Sequence, residues 1–439
     1  MRTFPKLGIQ IPEILLPDKH VDPQKWAVIA CDQYTSQPEY WQQVTDFVGD
    51  SPSALNLIFP EVFLGKPDET QRIHKIQNSM TSYIDSGLLQ SLEGMVYVER
   101  TVAGKTRRGL ILALDLECYD FNKGSQTLIR ATEGTILNRL PPRVKIRENA
   151  PLELPHILML IDDPEDLVLG NVEKQKASLP LVYDFDLMQS SGHLTGRLVN
   201  SSALEDQVIH GLVNLTEPST FSKKYSLPID TPVLLFASGD GNHSLATAKA
   251  CWEKLKPSVG MDHPARYALV EVENLHDTAL EFEPIHRVLF GLTADPIQAL
   301  KDFYGSNVSF ESIPDAQSMI AKVKNANPPD HHFGLINEEG YQVITIKEPK
   351  FNLAVGTLQH FLDEWQKEKP MSEIDYVHGE EALLSLSTQK NNAGFYLAGM
   401  PKNDLFKTVI KDGSLPRKTF SMGEAHEKRF YFEARKIIP

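Results

Sequence analysis

The chain has 439 residues, of which 41% are hydrophobic and 23% charged, a composition typical of a soluble globular protein with two or three domains. Its formal net charge of −14 argues against partners such as nucleic acid or an anionic membrane surface. Three widely separated cysteines argue against a disulfide framework or a cysteine zinc site and favour a cytoplasmic location. We find neither an apolar run as long as a membrane span nor a signal-peptide core.

The first part of the chain predicts short strands among helices. Residues 26–31 predict a buried strand, and Asp32 follows it directly, before a helix that begins near Pro38. A polar residue just beyond a strand is a common place for catalysis in α/β folds, and the alternative is an ordinary cap and turn. An amphipathic helix is predicted from Asp68, and a β-hairpin over residues 95–115.

A basic cluster follows in this otherwise acidic chain. It consists of Arg130, Arg139, Arg143, Lys145 and Arg147. Such a cluster is either a solvated helix face or a pocket for an anionic substrate. Thr132 and Glu133 lie within it, and Glu133 is either a general base or the ion-pair partner of an arginine.

The stretch from residue 232 to residue 252 combines two patterns. Residues 233–237 are apolar and predict a buried strand, whereas residues 245–255 repeat apolar side chains at helical spacing. The helix is expected to run to about Lys256. Residues 238–241 then predict a tight turn that depends on its glycines.

A strand that turns on glycines into a helix directs backbone N–H groups and the positive end of the helix dipole to one point. That point favours an anion such as phosphate. The alternative is a turn without a ligand, in which Asn242 or Ser244 caps the helix. The polar side chains gathered there exceed what a turn needs: they are Asp240, Asn242, His243 and Ser244.

Two later segments add charged side chains. A strand over residues 266–274 places Glu271 and Glu273 on one face, where paired carboxylates can bind Mg²⁺ or simply face solvent. His286 and Arg287 are adjacent and suit an anion, although such a pair is more often structural.

From about residue 290 the pattern changes, and we predict two domains. The first, residues 1–290, is an α+β catalytic or ligand-binding domain whose N-terminal extension comprises residues 1–94. The second, residues 291–439, is a smaller α+β domain.

Five segments in order resemble signatures of the DUF1015 family of uncharacterised proteins, and the resemblance covers nearly the whole chain. They are residues 130–135, 240–244, 280–287, 376–379 and 416–419. The family's Asp-Gly-His-His-Arg segment is itself similar to one in ParB/sulfiredoxin-like proteins. The resemblance therefore implies an α+β fold with a mixed-sheet ParB/sulfiredoxin-like core. This chain departs from the motif, because it has Asn242 and Ser244 in place of the first histidine and the arginine.

The resemblance also implies a function. It implies a small-molecule phosphotransferase that phosphorylates free L-serine or a similar hydroxyl compound, with pyrophosphate or a nucleotide as donor. For such a reaction, the residues expected to bind the substrate and its phosphate are Gly239, Gly241, Asn242, Ser244, Arg130, Thr132, Arg139, His286 and Arg287. The residues expected to act in catalysis are Asp240, His243, Glu133 and Asp32, with Glu133 and Asp32 as alternative bases.

The cofactor expected from this assignment is Mg²⁺, held by Asp240 with Glu273. Loss of the motif's arginine at Ser244 means that another basic residue must compensate, and Arg130, Arg139 and Arg287 are the candidates. The expected partner is a small phosphorylated molecule, and the oligomeric state is left open.

Two other functions remain open. A non-catalytic sensor of a nucleotide or phosphometabolite would suit the departures at Asn242 and Ser244. A metal-dependent hydrolase would use His243, His276, Asp277 and His286, although the sequence lacks a strong metal-ligand spacing.

Overall fold

The structure, a computed structural model, describes residues 1–439 except Ile136, Asn138 and Arg139. Its contacts divide the chain into two units. The first unit comprises residues 1–280 and 423–439, and the second comprises residues 281–422. We call residues 423–439 the returning segment. In the part of the chain that is described, no helix has the length and apolar character needed to cross a membrane.

The first unit contains residues 232–252, for which the sequence predicts a strand, a turn and a helix. Its described helices are α1 (Pro23–Trp26), α2 (Pro38–Val48), α3 (Glu69–Asp85), α4 (Leu140–Arg147), α5 (Leu169–Glu173), α6 (Ser202–Thr216), α7 (Pro218–Tyr225) and α8 (Asn242–Val259). Its described strands before residue 281 are β1 (Arg2–Phe4), β2 (Ile9–Ile11), β3 (Glu13–Pro17), β4 (Val28–Ile29), β5 (Leu89–Glu93), β6 (Met95–Val102), β7 (Lys105–Asp115), β8 (Tyr119–Asp120), β9 (Ile129–Ala131), β10 (Leu152–Glu153), β11 (Leu158–Ile161), β12 (Leu181–Asp186), β13 (His193–Val199), β14 (Phe236–Asp240) and β15 (Tyr267–Asn274).

The main sheet of the first unit is mixed, with strand order β12-β13-β6-β7-β15-β11-β14-β9-β8 and with β2 paired to β7. The predicted hairpin is confirmed as β6 and β7, which pair antiparallel. β11 is parallel to β15 and antiparallel to β14, and β14 is parallel to β9. Apolar side chains cover both faces of the sheet, with Ile111 and Leu269 on one face and Leu112 and Val270 on the other. The predicted α+β class with a mixed sheet is confirmed.

The second unit is also α+β, and the strand pairs described within it are antiparallel. Its sheet has the order β17-β19-β18-β21-β16-β20, with β22 paired to β16. The strands are β16 (Phe282–Phe290), β17 (Val308–Ile313), β18 (His331–Asn337), β19 (Gly340–Ile346), β20 (Glu373–His378), β21 (Ala393–Tyr396) and β22 (Phe420–Met422). The described helices are α9 (Pro296–Tyr304), α10 (Ala316–Lys324), α11 (Ala354–Trp365), α12 (Glu380–Ser387) and α13 (Asp404–Asp412).

The returning segment is built into the first unit by two short strands, β23 (Phe430–Tyr431) and β24 (Arg435–Lys436). β23 pairs with β4, and β24 pairs with β10. The indole N–H of Trp26 donates to the carbonyl of Phe432 at 2.9 Å, inside the core. The sequence analysis assigned this segment to the second domain, whereas its strands pair with those of the first unit. The assignment of the function to residues 1–290 stays a prediction.

The strand before α8 begins and ends later than predicted. The expected strand covered residues 233–237, but β14 covers Phe236–Asp240, so Ser238, Gly239 and Asp240 belong to the strand. Gly241 makes the turn, because it has a φ of +75°. α8 extends to Val259, and neither Asn242 nor Ser244 caps it, because Gly241 is the N-cap residue.

Candidate functional site

The candidate site lies where β14 turns into α8. The backbone N–H of Gly241 donates to Oδ1 of Asp240 at 2.8 Å, which fixes that carboxylate at the mouth of the turn. A Cβ on residue 241 would lie 3.0 Å from Cα of Ile157. The turn therefore requires glycine both for its positive φ and for the close approach of the neighbouring backbone.

A buried histidine that the sequence analysis missed connects the parts of the site. His156 precedes β11 and is 5% exposed. Its Nδ1 lies 2.6 Å from the hydroxyl of Tyr431, and its Nε2 lies 3.2 Å from Oγ of Ser244. The same Nε2 lies 3.5 Å from Oδ2 of Asp32. His156 thus joins Asp32, the first turn of α8 and the returning segment.

The charges of Asp32 and His156 support each other. Burial opposes ionisation of Asp32, but His156, Gln33 and Lys428 outweigh it and hold its pKa well below the usual range. Burial likewise opposes the imidazolium of His156, but Asp32, Asp240 and Glu61 raise its pKa above the ordinary value. The carboxylate of Asp32 and the protonated form of His156 therefore each favour the charge of the other. Asp32 does not cap α2, whose N-cap residue is Gln37.

Two groups near the turn bear on ligand binding. Oδ2 of Asp240 lies 3.1 Å from Nζ of Lys428, and the side chains are 24% and 11% exposed, respectively. Oδ1 of Asn242 is buried and has no hydrogen-bond partner among the described residues. A buried amide oxygen without a hydrogen bond lowers the stability of the folded state. This oxygen can therefore accept a hydrogen bond from a donor group of a ligand.

The carboxylates of β15 are buried rather than solvent-exposed, so the alternative of an exposed strand face is wrong. Glu271 pairs with Arg429 at 3.2 Å, and Glu273 pairs with Arg107 at 2.6 Å. Gly109, on β7, makes room for Glu271, since a Cβ there would lie 2.1 Å from its Oε1. Because side chains two positions apart on a strand share one face, both carboxylates lie among the charged groups inside the first unit.

Burial, together with the neighbouring Glu271, raises the pKa of Glu273 to about 8 despite the opposing charge of Arg107. Burial also disfavours the charge of Arg107, but Glu273, Glu271 and Asp240 raise its pKa. Arginine stays charged at any physiological pH, so Glu273 is the partner that titrates.

The predicted basic cluster is divided among several partners. Arg130 is buried, and its guanidinium donates to the carbonyls of Thr127 and Pro232 at 2.8 and 2.9 Å. Arg143 pairs with Glu61, Lys145 with Glu69, and Arg147 with Glu153. Arg139 lies outside the described residues.

The loop after β9 is fixed to β14. The hydroxyl of Thr132 donates to the carbonyl of Ser238 at 2.6 Å, which places Thr132 and the following Glu133 beside the strand that leads to the turn. Glu133 and His243 are both partly exposed. Their roles, like that of Gly239 within β14, stay predictions.

His286 and Arg287 lie on β16, in the second unit. Nδ1 of His286 accepts the backbone N–H of Leu397 at 3.2 Å. Burial lowers the pKa of His286 to about 4. Arg287 is fully buried, and it donates to the carbonyl of Arg417 at 3.0 Å and contacts the ring of Tyr376. Both side chains thus have contacts within their own unit, and their role in substrate binding stays a prediction.

The residues of the hydrolase alternative have separate partners. His276 lies 2.6 Å from Oδ1 of Asp162, and Asp277 lies 3.2 Å from Nε of Arg108. Both follow the end of β15, whereas His243 begins α8. No group of three His, Cys, Asp or Glu side chains among the described residues can hold a metal ion.

The magnesium assignment is not tested by these contacts, although Asp240 and Glu273 are each ion-paired with a different cation. Mg²⁺ that arrives with a phosphate donor needs only one or two protein carboxylates. Two concavities of about 520 and 530 Å³ in the first unit are lined by residues outside this site. Because neither contains the charged residues at the turn, we place the candidate site by its chemistry.

The structure brings together Asp32, Asp240 and Ser244, which the sequence predicts as site residues. It adds His156, Lys428 and Tyr431, which the sequence does not predict. Lys428 and Tyr431 lie in a short run in which charged residues flank three aromatic ones, and such a run alone indicates no function. The isolated His156 before an apolar strand gave no signal that would separate it from an ordinary core histidine.

Comparison with known proteins gives one family and several distant structures. The family described as a protein of unknown function (DUF1015) matches residues 15–365. No curated protein matches the chain. One similar solved structure is a free serine kinase variant in complex with AMP, with 11% identity, coverage of 74% of this chain and 92% of that one, and a TM-score of 0.40.

Another similar structure is a conserved hypothetical protein from Pyrococcus furiosus, with 10% identity, coverage of 73% and 94%, and a TM-score of 0.37. A third is SbnI with a C-terminal truncation from Staphylococcus aureus, with 10% identity, coverage of 71% and 82%, and a TM-score of 0.35. These structural likenesses are too weak to carry an argument about function.

Proposed function

Because the chain belongs to the DUF1015 family of proteins of unknown function, we propose a function from its own site: it is a small-molecule phosphotransferase. The acceptor is a small hydroxyl compound such as free L-serine, and the donor is pyrophosphate or a nucleotide. The proposal depends chiefly on one observation, the contact of His156 with both Asp32 and Ser244 beside the glycine turn. This contact supports a site that combines an ionised carboxylate with the anion-favouring start of α8.

Asp32 is the proposed general base. Its pKa is lowered by His156, so it is ionised at neutral pH and can accept a proton. The substrate hydroxyl oxygen forms a bond to the phosphorus of the donor while the bond from phosphorus to the leaving oxygen breaks. The hydroxyl proton passes to Asp32, and the leaving phosphate keeps the electron pair of the broken bond.

His156 is a positioning residue in this scheme. It is buried and holds Asp32 from one side of the ring, while the other side contacts the hydroxyl of Tyr431. Such support fixes the direction of the carboxylate, and correct placement supplies much of the acceleration in phosphoryl transfer. The backbone N–H groups at the start of α8 would face the transferred phosphate.

Mg²⁺ would neutralise charge on the donor phosphates, and Asp240 is the carboxylate at the turn that is exposed enough to reach such an ion. The partly exposed Asp32 acts on the acceptor, so the two carboxylates have different tasks. Asn242, with its unpartnered buried amide oxygen, would accept a hydrogen bond from the hydroxyl or amino group of the acceptor.

The test is direct detection of phosphoserine. The purified chain is incubated with L-serine, Mg²⁺ and either pyrophosphate, ATP or ADP, and the product is measured by mass spectrometry. We expect product with one donor, and a decrease in kcat of about a hundredfold or more in the Asp32→Asn variant. The matched control is Asp50→Asn, since Asp50 is exposed on the surface after α2, and its kcat is expected to equal that of the unchanged chain.

The absence of phosphoserine with every donor, and of the reverse reaction from phosphoserine, would contradict the proposal. Tight binding of a nucleotide without any product would instead favour the sensor. Full activity in Asp32→Asn would remove Asp32 from the role of base and return Glu133 to consideration.

A further inference from the structure

An arginine that no sequence motif indicated lies on the sheet face that carries the candidate site. Asp240 and Glu271 are both paired with Leu158 of β11, and Glu273 is paired with Gly109 of β7. Residues paired across neighbouring strands direct their side chains to the same face. Arg107 lies two positions before Gly109, so its side chain is on that face as well.

The guanidinium of Arg107 forms an ion pair but donates few hydrogen bonds. Its Nε lies 2.6 Å from Glu273 without the alignment of a hydrogen bond. Its terminal amino groups have no hydrogen-bonded acceptor within the described chain, although the side chain is only 11% exposed. A guanidinium offers a planar fork of donors that matches two oxygens of a phosphate group.

The acidic neighbours of Arg107 are shared with other cations. Glu271 pairs with Arg429, which also pairs with Glu433 at 2.6 Å. Burial raises the pKa of Glu273, the direct partner of Arg107, to about 8, so Glu273 is mostly neutral at pH 7. At that pH the charged acidic groups that act on Arg107 are Glu271 and Asp240, each of which also pairs with another cation.

Lys428 supplies a second cation at the same place. Its ammonium lies 3.1 Å from Asp240, and Asp240 in turn raises the pKa of Arg107 against the opposing effect of its burial. The side chain is mostly buried, which keeps a lysine from being an ordinary solvated surface charge. Arg107 from β7 and Lys428 from the returning segment thus both interact electrostatically with Asp240, the last residue of β14.

We infer that Arg107 and Lys428 together bind the anionic oxygens of the phosphate group that the chain transfers, an inference that rests on the proposed function. Arg107 donates hydrogen bonds from its two amino groups to two phosphate oxygens, and the ammonium of Lys428 attracts the same phosphate as a point charge. The cations that the sequence analysis nominated have other contacts: Arg130 holds backbone carbonyls, and Arg287 lies in the second unit.

The experiment measures binding of inorganic pyrophosphate to the full chain by calorimetry. The variants are Arg107→Gln and Lys428→Gln, and the matched control is Lys436→Gln, an exposed lysine of the same returning segment. We expect each of the first two changes to weaken the affinity by about tenfold or more, because a charge-assisted hydrogen bond is lost. We expect no change in the control.

Charge-conserving variants distinguish the loss of a binding group from a defect in folding. Arg107→Lys keeps the charge but not the fork, so its affinity should fall between that of the unchanged chain and that of Arg107→Gln. Lys428→Arg should retain most of the affinity. Thermal unfolding of each variant reports whether it is folded.

The outcomes separate this inference from the proposed function. Unchanged pyrophosphate affinity in folded Arg107→Gln or Lys428→Gln would overturn the inference, even if the chain makes phosphoserine. Affinity that depends on both cations, in a chain that makes no phosphoserine, would support the inference and contradict the phosphotransferase. If the unchanged chain binds no pyrophosphate and no inorganic phosphate, the inference is overturned, and the assay of phosphoserine with a nucleotide donor decides the phosphotransferase separately.

Discussion

His156 shows how a buried titratable side chain can set the charge of a more exposed one. Its ring contacts Asp32, Ser244 and the hydroxyl of Tyr431. Burial opposes its protonation, and Asp32 is the main group that raises its pKa against that effect. A change in either residue alters the charge of the other, so single variants at this pair should be interpreted together.

Glu273 gives a prediction for stability against pH. The folded carboxyl, with a pKa of about 8 against an ordinary 4.5, keeps its proton over a range where the unfolded carboxyl has lost it. The folded state thus binds more protons, so the free energy of unfolding should fall as pH rises through that range. Glu273→Gln stays neutral, and its free energy of unfolding should exceed that of the unchanged chain at pH 8 by more than at pH 5.

Urea unfolding at several pH values measures this difference. Glu338→Gln, in an exposed hairpin turn of the second unit, is the matched control and should follow the unchanged chain throughout. A difference between Glu273→Gln and the unchanged chain that is constant from pH 5 to pH 8 would contradict the prediction.

At the residue scale, local sequence pattern predicts some of the site residues and not others. Asp32, Asp240 and Ser244 each follow a strand or begin a helix, and this local pattern marks them as candidates. Arg107, His156 and Lys428 act through contacts with residues distant in the chain, such as the 275-residue separation between His156 and Tyr431. Local periodicity carries no information about such contacts, so these residues could not be found by it.

At the scale of elements, the junction of β14 and α8 depends on Gly241. The sequence predicted a strand, a turn and a helix in the right order but placed the turn over four residues. The buried strand extends through Asp240, because β14 pairs with β11 up to Leu158, and tertiary pairing overrode the local turn preference of Ser238 and Gly239.

Gly241→Ala should therefore destabilise the first unit. The alanine would have to adopt the positive φ of residue 241, and its Cβ would lie 3.0 Å from Cα of Ile157. We expect a loss of roughly 2 to 4 kcal/mol, the sum of backbone strain and overpacking. Gly124→Ala is the matched control, because Gly124 has a φ of +80° but no atom within 4 Å of the new Cβ.

Denaturant unfolding measures both variants. The control should lose only the cost of strain, on the order of 1 kcal/mol. Equal losses in the two variants would show that the contact with Ile157 adds nothing, contrary to this account of the turn. A smaller loss in Gly241→Ala than in Gly124→Ala would contradict it more strongly.

At the scale of the whole molecule, the returning segment makes the first unit discontinuous in sequence. Its aromatic residues Phe430, Tyr431 and Phe432 are buried in the core, and Arg435 pairs with Glu153 at 2.7 Å. The sequence predicts two α+β parts, but local patterns cannot show that residues after 422 pair with strands near residues 28 and 152.

Deletion of residues 423–439 should lower the free energy of unfolding of the first unit by at least about 5 kcal/mol, since burial of each aromatic side chain contributes roughly 2 kcal/mol. Deletion of residues 438–439 is the matched control, because both are exposed. Thermal unfolding and circular dichroism measure the two shortened chains. A first unit that melts as before without residues 423–439 would contradict the pairing described here.

The position of the returning segment has a consequence for synthesis. A ribosome has made all of residues 1–422 before it adds Lys428 and Tyr431, so the core of the first unit cannot close until the returning segment has been made. The same step brings Lys428 to Asp240 and Tyr431 to His156, so completion of the core and assembly of the candidate site coincide.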